Sequence, residues 1–239
     1  MKLSQMENSD LVRCLVLGEP GTGKTIFATT FPGPIKVFDF DGKLNSAFNY
    51  WSVKDPKKLE SIDFTDCRAK DRIGTSFSLM NAELSKLKTD CPYKTIVIDS
   101  TTTMAAEMMN WLIHFETGIK RNKDIKSMKV ASMQDYMIFA PTFTNFLFEL
   151  FNFPCHIVLT GHIKIQQDDI TSEIHRTADI PGQIGKKLPV YFPEVYVSSV
   201  KSDKYVAQTK ADYKYPCRSQ IAGLPKEIEL NYESLIKKY

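Results

Sequence analysis

Gly18-Glu19-Pro20-Gly21-Thr22-Gly23-Lys24-Thr25 is the stretch that most restricts what this chain can fold into. It fits G-x-x-x-x-G-K-[ST], a spacing in which glycines let successive backbone N–H groups turn inward around phosphate oxygens. Lys24 can reach the terminal phosphates, and the Thr25 hydroxyl can sit on Mg²⁺. Such a loop needs a strand before it and a helix after it, so that the positive end of the helix faces the same anion. Both are present. Residues 11–17 are an apolar segment of strand length, and residues 26–31 read as a helix stopped by Pro32-Gly33-Pro34.

A second segment, Thr95-Ile96-Val97-Ile98-Asp99-Ser100, is a buried-strand pattern ending in a carboxylate. Asp99 suits the holding of Mg²⁺ or its water shell. It also suits a helix cap, since Ser100 and Thr101 favour a helix start. Residues 35–42 form another strand ending in acids. A carboxylate at Asp41, on the strand beside the loop strand, can orient an attacking water. The alternative is a turn, because Asp41-Gly42 is a good turn pair. His162 ends the buried strand that begins at His156, where it can donate a hydrogen bond to a γ-phosphate oxygen or serve as a structural histidine.

Composition narrows the rest. A chain of 239 residues with 43% hydrophobic and 25% charged residues can bury a full core as one domain, 1–239, with a short arm at 1–10 and a packed tail at 224–239. The net charge of +3 is too small to argue nucleic-acid binding by itself, so local clustering must carry that argument. The most apolar region, 136–153, is interrupted by Pro141, Asn145, Glu149 and Asn152, and the first ten residues lack the apolar core of a signal peptide. Cys14, Cys67, Cys91, Cys155 and Cys217 are odd in number and contain no C-x-x-C. The expectation is a cytoplasmic protein with no membrane partner, no disulfide and no structural zinc.

Strand patterns alternate with helical ones, which predicts an α/β fold: a mainly parallel sheet flanked by helices, with a β-rich C-terminal part. Helices are expected over 77–87, 104–115 and 133–151, the last bent at Pro141. Residues 43–72 read as polar and irregular. Residues 194–200 and 204–209 read as strands around a Lys201-Ser202-Asp203 turn. Two stretches read as loops that can contact nucleic acid. The first, 117–129, holds Lys120, Arg121, Lys123, Lys126 and Lys129 against one acid. The second, 164–185, holds Lys164 and Arg176, but Asp168, Asp169, Glu173 and Asp179 balance its charge. Plain solvated loops are the alternative for both.

The order of these parts resembles the RecA-like P-loop ATPase core. It especially resembles the small phage-encoded RecA-core proteins of the Sak type, which act in single-strand annealing and recombination and are also grouped with phage AAA-type nucleotide-binding proteins. The likeness runs from about Leu11 to Arg218 and rests on the phosphate loop, on Val97-Ile98-Asp99-Ser100, on Val37-Phe38-Asp39-Phe40-Asp41 and on Leu159-Thr160-Gly161-His162. It implies an ATPase using ATP and Mg²⁺, with single-stranded DNA as partner and a homo-oligomeric filament or ring. It leaves room for a single-strand-binding protein as a further partner. In the family, basic residues in the region of Lys210, Lys214 and Arg218 reach a neighbouring subunit's ATP; a solvated charged face is the alternative here. Asp41 stands where the family has a glutamate and His162 where it has a glutamine, and the segment before the loop is too short for a RecA-style polymerisation domain. A RecA-fold ring motor, helicase-like or packaging, is the nearest competing reading. A small-molecule kinase is a more distant one, because the few arginines are scattered.

Overall fold

The computed structural model describes residues 11–68, 74–116, 131–167 and 174–237. The basic stretch 117–129, the arm 1–10 and the acidic middle of the second stretch therefore lie outside the described residues.

An eight-stranded sheet organises the chain. Its first strand, β1 (Arg13–Gly18), lies between β5 (His156–Gly161) and β8 (Glu194–Lys201) and is parallel to both. Beyond β5 come β4 (Thr95–Asp99), β2 (Ile35–Asp39) and the edge strand β3 (Ile62–Asp66), all parallel. The other edge turns antiparallel through β9 (Lys204–Gln208) and β10 (Glu227–Glu229). A mainly parallel sheet and a β-rich C-terminal part are thus present, as the alternation of patterns predicts. One expectation is corrected. Asp41 does not follow the strand beside the loop strand, because β5 and β4 stand between β1 and β2.

The parallel strands are apolar on both faces because both faces are covered. On β1, Leu15 and Leu17 pack toward α4 (Thr75–Leu87), α5 (Thr101–Trp111) and α6 (Met133–Phe151), whereas Cys14 and Val16 pack toward α1 (Lys24–Thr29) and the C-terminal segment. Phe139, Phe143, Phe146, Leu147 and Leu150 give α6 its buried face, and Pro141 falls on the exposed one. Each buried phenylalanine contributes about 1.5–3 kcal/mol of hydrophobic stabilisation. The start of α6 is fixed by a capping box: the Asp135 carboxylate accepts from the Ser132 N–H at 2.7 Å, and the Ser132 hydroxyl accepts from the Asp135 N–H.

Two stretches read as irregular are in fact structured. Residues 43–72 contain α2 (Asn45–Lys54), α3 (Pro56–Leu59) and β3. An edge strand pairs on one side only, so β3 tolerates Asp63, Asp66 and an exposed Phe64 that blur its pattern. Helix α2 buries only Ala47 and Trp51, with Trp51 Nε1 donating to Thr29 Oγ1 at 2.8 Å, too sparse an apolar face to read by periodicity. In the second supposed loop, 164–185, the described residues include an antiparallel ribbon of β6 (Ile163–Gln167) and β7 (Ile174–Ala178) and the start of α7 (Ile184–Lys187). Alternation of isoleucine with polar residues carries that ribbon, and the balanced charge obscures it. Between β8 and β9, Ser202 and Asp203 take positive φ of 47° and 63°, the tight turn expected there. Among the described residues no helix is long and apolar enough to cross a membrane.

Candidate functional site

The loop 18–25 runs from the end of β1 into α1 and walls one side of a cavity of about 490 Å³. Residues Pro20 to Ile26 line it together with Asp41, Lys43, Asp99, His162 and Tyr205. Gly21 has φ of 77° and open space where a side chain would stand, so backbone faces the cavity there. Gly23 is required for another reason. At φ 85° a Cβ on it would lie 2.6 Å from the Tyr205 ring. The loop is braced from below: Thr22 Oγ1 donates to the Glu19 carbonyl at 2.8 Å and shares a 2.7 Å hydrogen bond with Ser198 on β8.

Lys24 is buried, and its ammonium donates to the Gly18 and Glu19 carbonyls at 2.8 Å each. Burial lowers its pKa, with Asp99, Asp41 and Glu19 opposing. The Thr25 hydroxyl donates to Asp99 Oδ2 at 2.7 Å, and Thr160 on β5 donates to Asp99 Oδ1. Burial pushes the Asp99 carboxyl up while those two hydroxyls pull it down. Asp99 is not the cap of α5; Ser100 is, accepting from the Thr103 N–H at 3.3 Å. A hydroxyl and a carboxylate side by side are hard oxygen donors that fit Mg²⁺. With the inward-facing loop and Lys24 they fit a magnesium-bound nucleoside triphosphate.

The two acids after β2 divide their work. Asp39 is the turn residue, accepting from the Gly42 N–H at 2.7 Å. Asp41 instead turns to the cavity, reached because its loop folds back onto the end of β4, with the Phe40 N–H donating to the Asp99 carbonyl at 2.7 Å. Its Oδ1 accepts from Ser100 at 3.0 Å and from Thr103, and its Oδ2 lies 3.5 Å from His162 Nε2 and 3.8 Å from Lys43 Nζ. Burial opposes ionisation of Asp41, but the bonds from His162, Thr103 and Ser100 outweigh it and hold its pKa at about 2. His162 follows β5, between β1 and β4 in the sheet. Its backbone N–H donates to Thr102 Oγ1 at 2.9 Å, while Nδ1 is buried with no hydrogen-bond partner among the described residues.

Behind His162 lies a second cavity, of about 710 Å³, lined by Thr102, Tyr136, Lys164, Asp179, Gln183 and Lys186 among others. Lys164 is placed in it; Arg176 is not. Cross-strand partners share a face, and Lys164 pairs with Thr177 whereas Arg176 pairs with Ile165. Arg176 lies instead 5.5 Å over the Tyr215 ring. Lys210 and Arg218 are also remote from the loop of their own chain. Arg218 bridges Val195, three residues before the Ser198 that pairs with Gly18, or about 10 Å along the strand. Lys214 follows the same connection, over the Tyr213 ring.

Sequence reasoning missed Thr160, Thr102, Thr103, Ser198 and Tyr205. The hydroxyl run after Asp99 is a usable signal, since a helix starting there sets Ser100 and Thr103 against Asp41 and Thr102 against His162. Tyr205 has none, because it is one aromatic in an alternating strand. Among known proteins, the model of a family described as an AAA domain matches residues 11–220. No curated protein matches the chain.

Proposed function

The chain belongs to the AAA-domain family, and from that premise we propose that it is an ATP-dependent, single-stranded-DNA-binding ATPase of recombination or annealing, phage-encoded and homo-oligomeric. In this reading residues 1–239 form one ATPase domain. The loop 18–25 holds the triphosphate, with Lys24 on the γ-phosphate; Thr25 and Asp99 hold Mg²⁺, which neutralises charge developing on the phosphate oxygens. Asp41, ionised far below neutral pH, orients the attacking water by accepting its hydrogen bond. Its low pKa favours that role over full proton abstraction.

The observation that carries the DNA part of the reading is the position of His162. It lines the nucleotide cavity, contacts Asp41, and is tied through Thr102 to the polar groove that holds Lys164 and Lys186. A phosphate-dependent shift of His162 would therefore be felt in the groove, and a strand seated there would be felt at Asp41. The stretch 117–129 adds Lys120, Arg121, Lys123, Lys126 and Lys129 to the DNA contact, and Arg176 extends it along the other face of the ribbon. Lys210, Lys214 and Arg218 act on a neighbouring copy's nucleotide in this reading, since Arg218 bridges Val195, about 10 Å along the strand from its own loop.

Turnover measured with and without single-stranded DNA tests this reading. Stimulation by DNA, with filaments or rings in negative-stain images containing ATP and DNA, is the expected result. Turnover indifferent to DNA, together with transfer of phosphate to a small acceptor, returns the chain to the kinase class.

A further inference from the structure

The first turn of α5 touches three groups around the nucleotide cavity. Asp99 precedes it and meets Thr25; Thr102 accepts from the His162 N–H; Ser100 and Thr103 donate to Asp41 Oδ1. These contacts are not equal. Ser100 is committed as the helix cap, and its hydroxyl accepts from the Thr103 backbone N–H. The Thr103 backbone thus completes the cap, while its hydroxyl lies 3.4 Å from Ser100 Oγ and turns its proton toward another group. It donates to Asp41 Oδ1, 62 residues away in sequence, beside the 3.0 Å bond from Ser100.

Asp41 needs such a tether. It lies beyond the end of β2, where the Phe40 and Asp41 N–H groups donate to the Asp99 carbonyl and so hold the backbone but leave the Asp41 side chain to be held by other groups. Of its other neighbours, Lys43 is 3.8 Å away with its side chain 63% exposed, a weak constraint. His162 stands at 3.5 Å. Thr103 does not itself line the cavity, so anything it does there passes through Asp41.

We propose that Thr103 is a positioning residue for hydrolysis, its hydroxyl holding the Asp41 carboxylate in the rotamer that faces the nucleotide cavity. This rests on the reading of Asp41 as the water-orienting acid. The required geometry is strict, because displacing a group by about 1 Å can cost about a hundredfold in rate. The hydroxyl is also the minimum device for the task. It donates to a carboxylate without adding a charge that would compete for the phosphates or the metal.

Thr103→Val keeps the shape of the side chain and removes the donor. With steady-state hydrolysis and binding of a fluorescent ATP analogue as readouts, kcat is expected to fall by about ten- to a hundredfold, as when an outer hydrogen-bond partner is lost. KM and analogue affinity should stay at the parent values, and Thr103→Ser should restore most of the turnover. In the double variant with Asp41→Asn, turnover should match that of Asp41→Asn alone, since both changes act through one carboxylate. Parent-like turnover in folded Thr103→Val, losses that multiply in the double variant, or equal loss of nucleotide affinity would each overturn the proposal. If Thr103→Val does not fold, Thr103→Ala carries the same test. Parent-like turnover in Asp41→Asn removes the underlying assignment of Asp41, an outcome separate from failure of Thr103 with Asp41→Asn slow.

Discussion

The nucleotide cavity and the groove joined to it by the His162–Thr102 hydrogen bond are built in opposite ways. In the nucleotide cavity the buried charged side chains are tied: Lys24 to two carbonyls, Asp99 to two threonines, Asp41 to a serine and a threonine. In the groove behind it, Lys164 and Lys186 carry no ion pair among the described residues and line an open, polar space. The contrast follows from what each must do. Phosphoryl chemistry needs groups fixed in advance, since their reorganisation would be added to the barrier. Holding a nucleic-acid backbone needs positive charge and little geometry, because most of the binding free energy comes from counterion release.

This comparison can be broken at several points. The largest effect is expected from Lys24→Ala, which removes the positive side chain of the phosphate loop: turnover should be lost and nucleotide affinity greatly reduced, with the melting transition retained. Near-normal turnover in folded protein would remove the loop from the chemistry altogether. Asp41→Asn should slow hydrolysis by about 10²–10⁴ with ATP affinity almost intact, which stopped-flow binding beside single-turnover hydrolysis can separate. A changed salt dependence of DNA affinity in that variant would mean that the two cavities are not distinct in kind.

Charge removal on the DNA side sharpens the other half. With Lys120, Arg121, Lys123, Lys126 and Lys129 changed to glutamine, the log–log slope of DNA affinity against salt should become shallower by up to about 3.5, at roughly 0.7 per phosphate contact on single strands. Lys164→Gln with Lys186→Gln should shallow it by up to about 1.4 by the same rule. Titrations of a labelled strand at several salt concentrations give both numbers. A slope that stays put in the second pair leaves the groove as ordinary solvated surface.

The sequence carried the nucleotide side further than the DNA side for a physical reason. A phosphate loop imposes glycines and a lysine at fixed spacing, and β4 is an apolar run closed by Asp99 because both its faces are covered, so both could be read residue by residue. What surrounds them was hidden by crossovers. Thr160 reaches Asp99 only because β5 inserts between β1 and β4, and Tyr205 reaches Gly23 only because β9 folds back beside β8. The ribbon β6–β7 was obscured by balanced charge, and the edge strand β3 by half exposure.

The placement of β1 has a consequence in time. This strand leaves the ribosome well before its two partners, which begin at His156 and Glu194. At about 5–20 residues per second, the earlier partner is completed on the order of ten seconds after β1, and the wall that brings Tyr205 over Gly23 later still. Until then an apolar strand and its glycine loop wait without neighbours. The ability to hold nucleotide thus arrives only once β8 and β9 have been made, and a chain interrupted before β8 would carry the whole phosphate motif without the strand that flanks it.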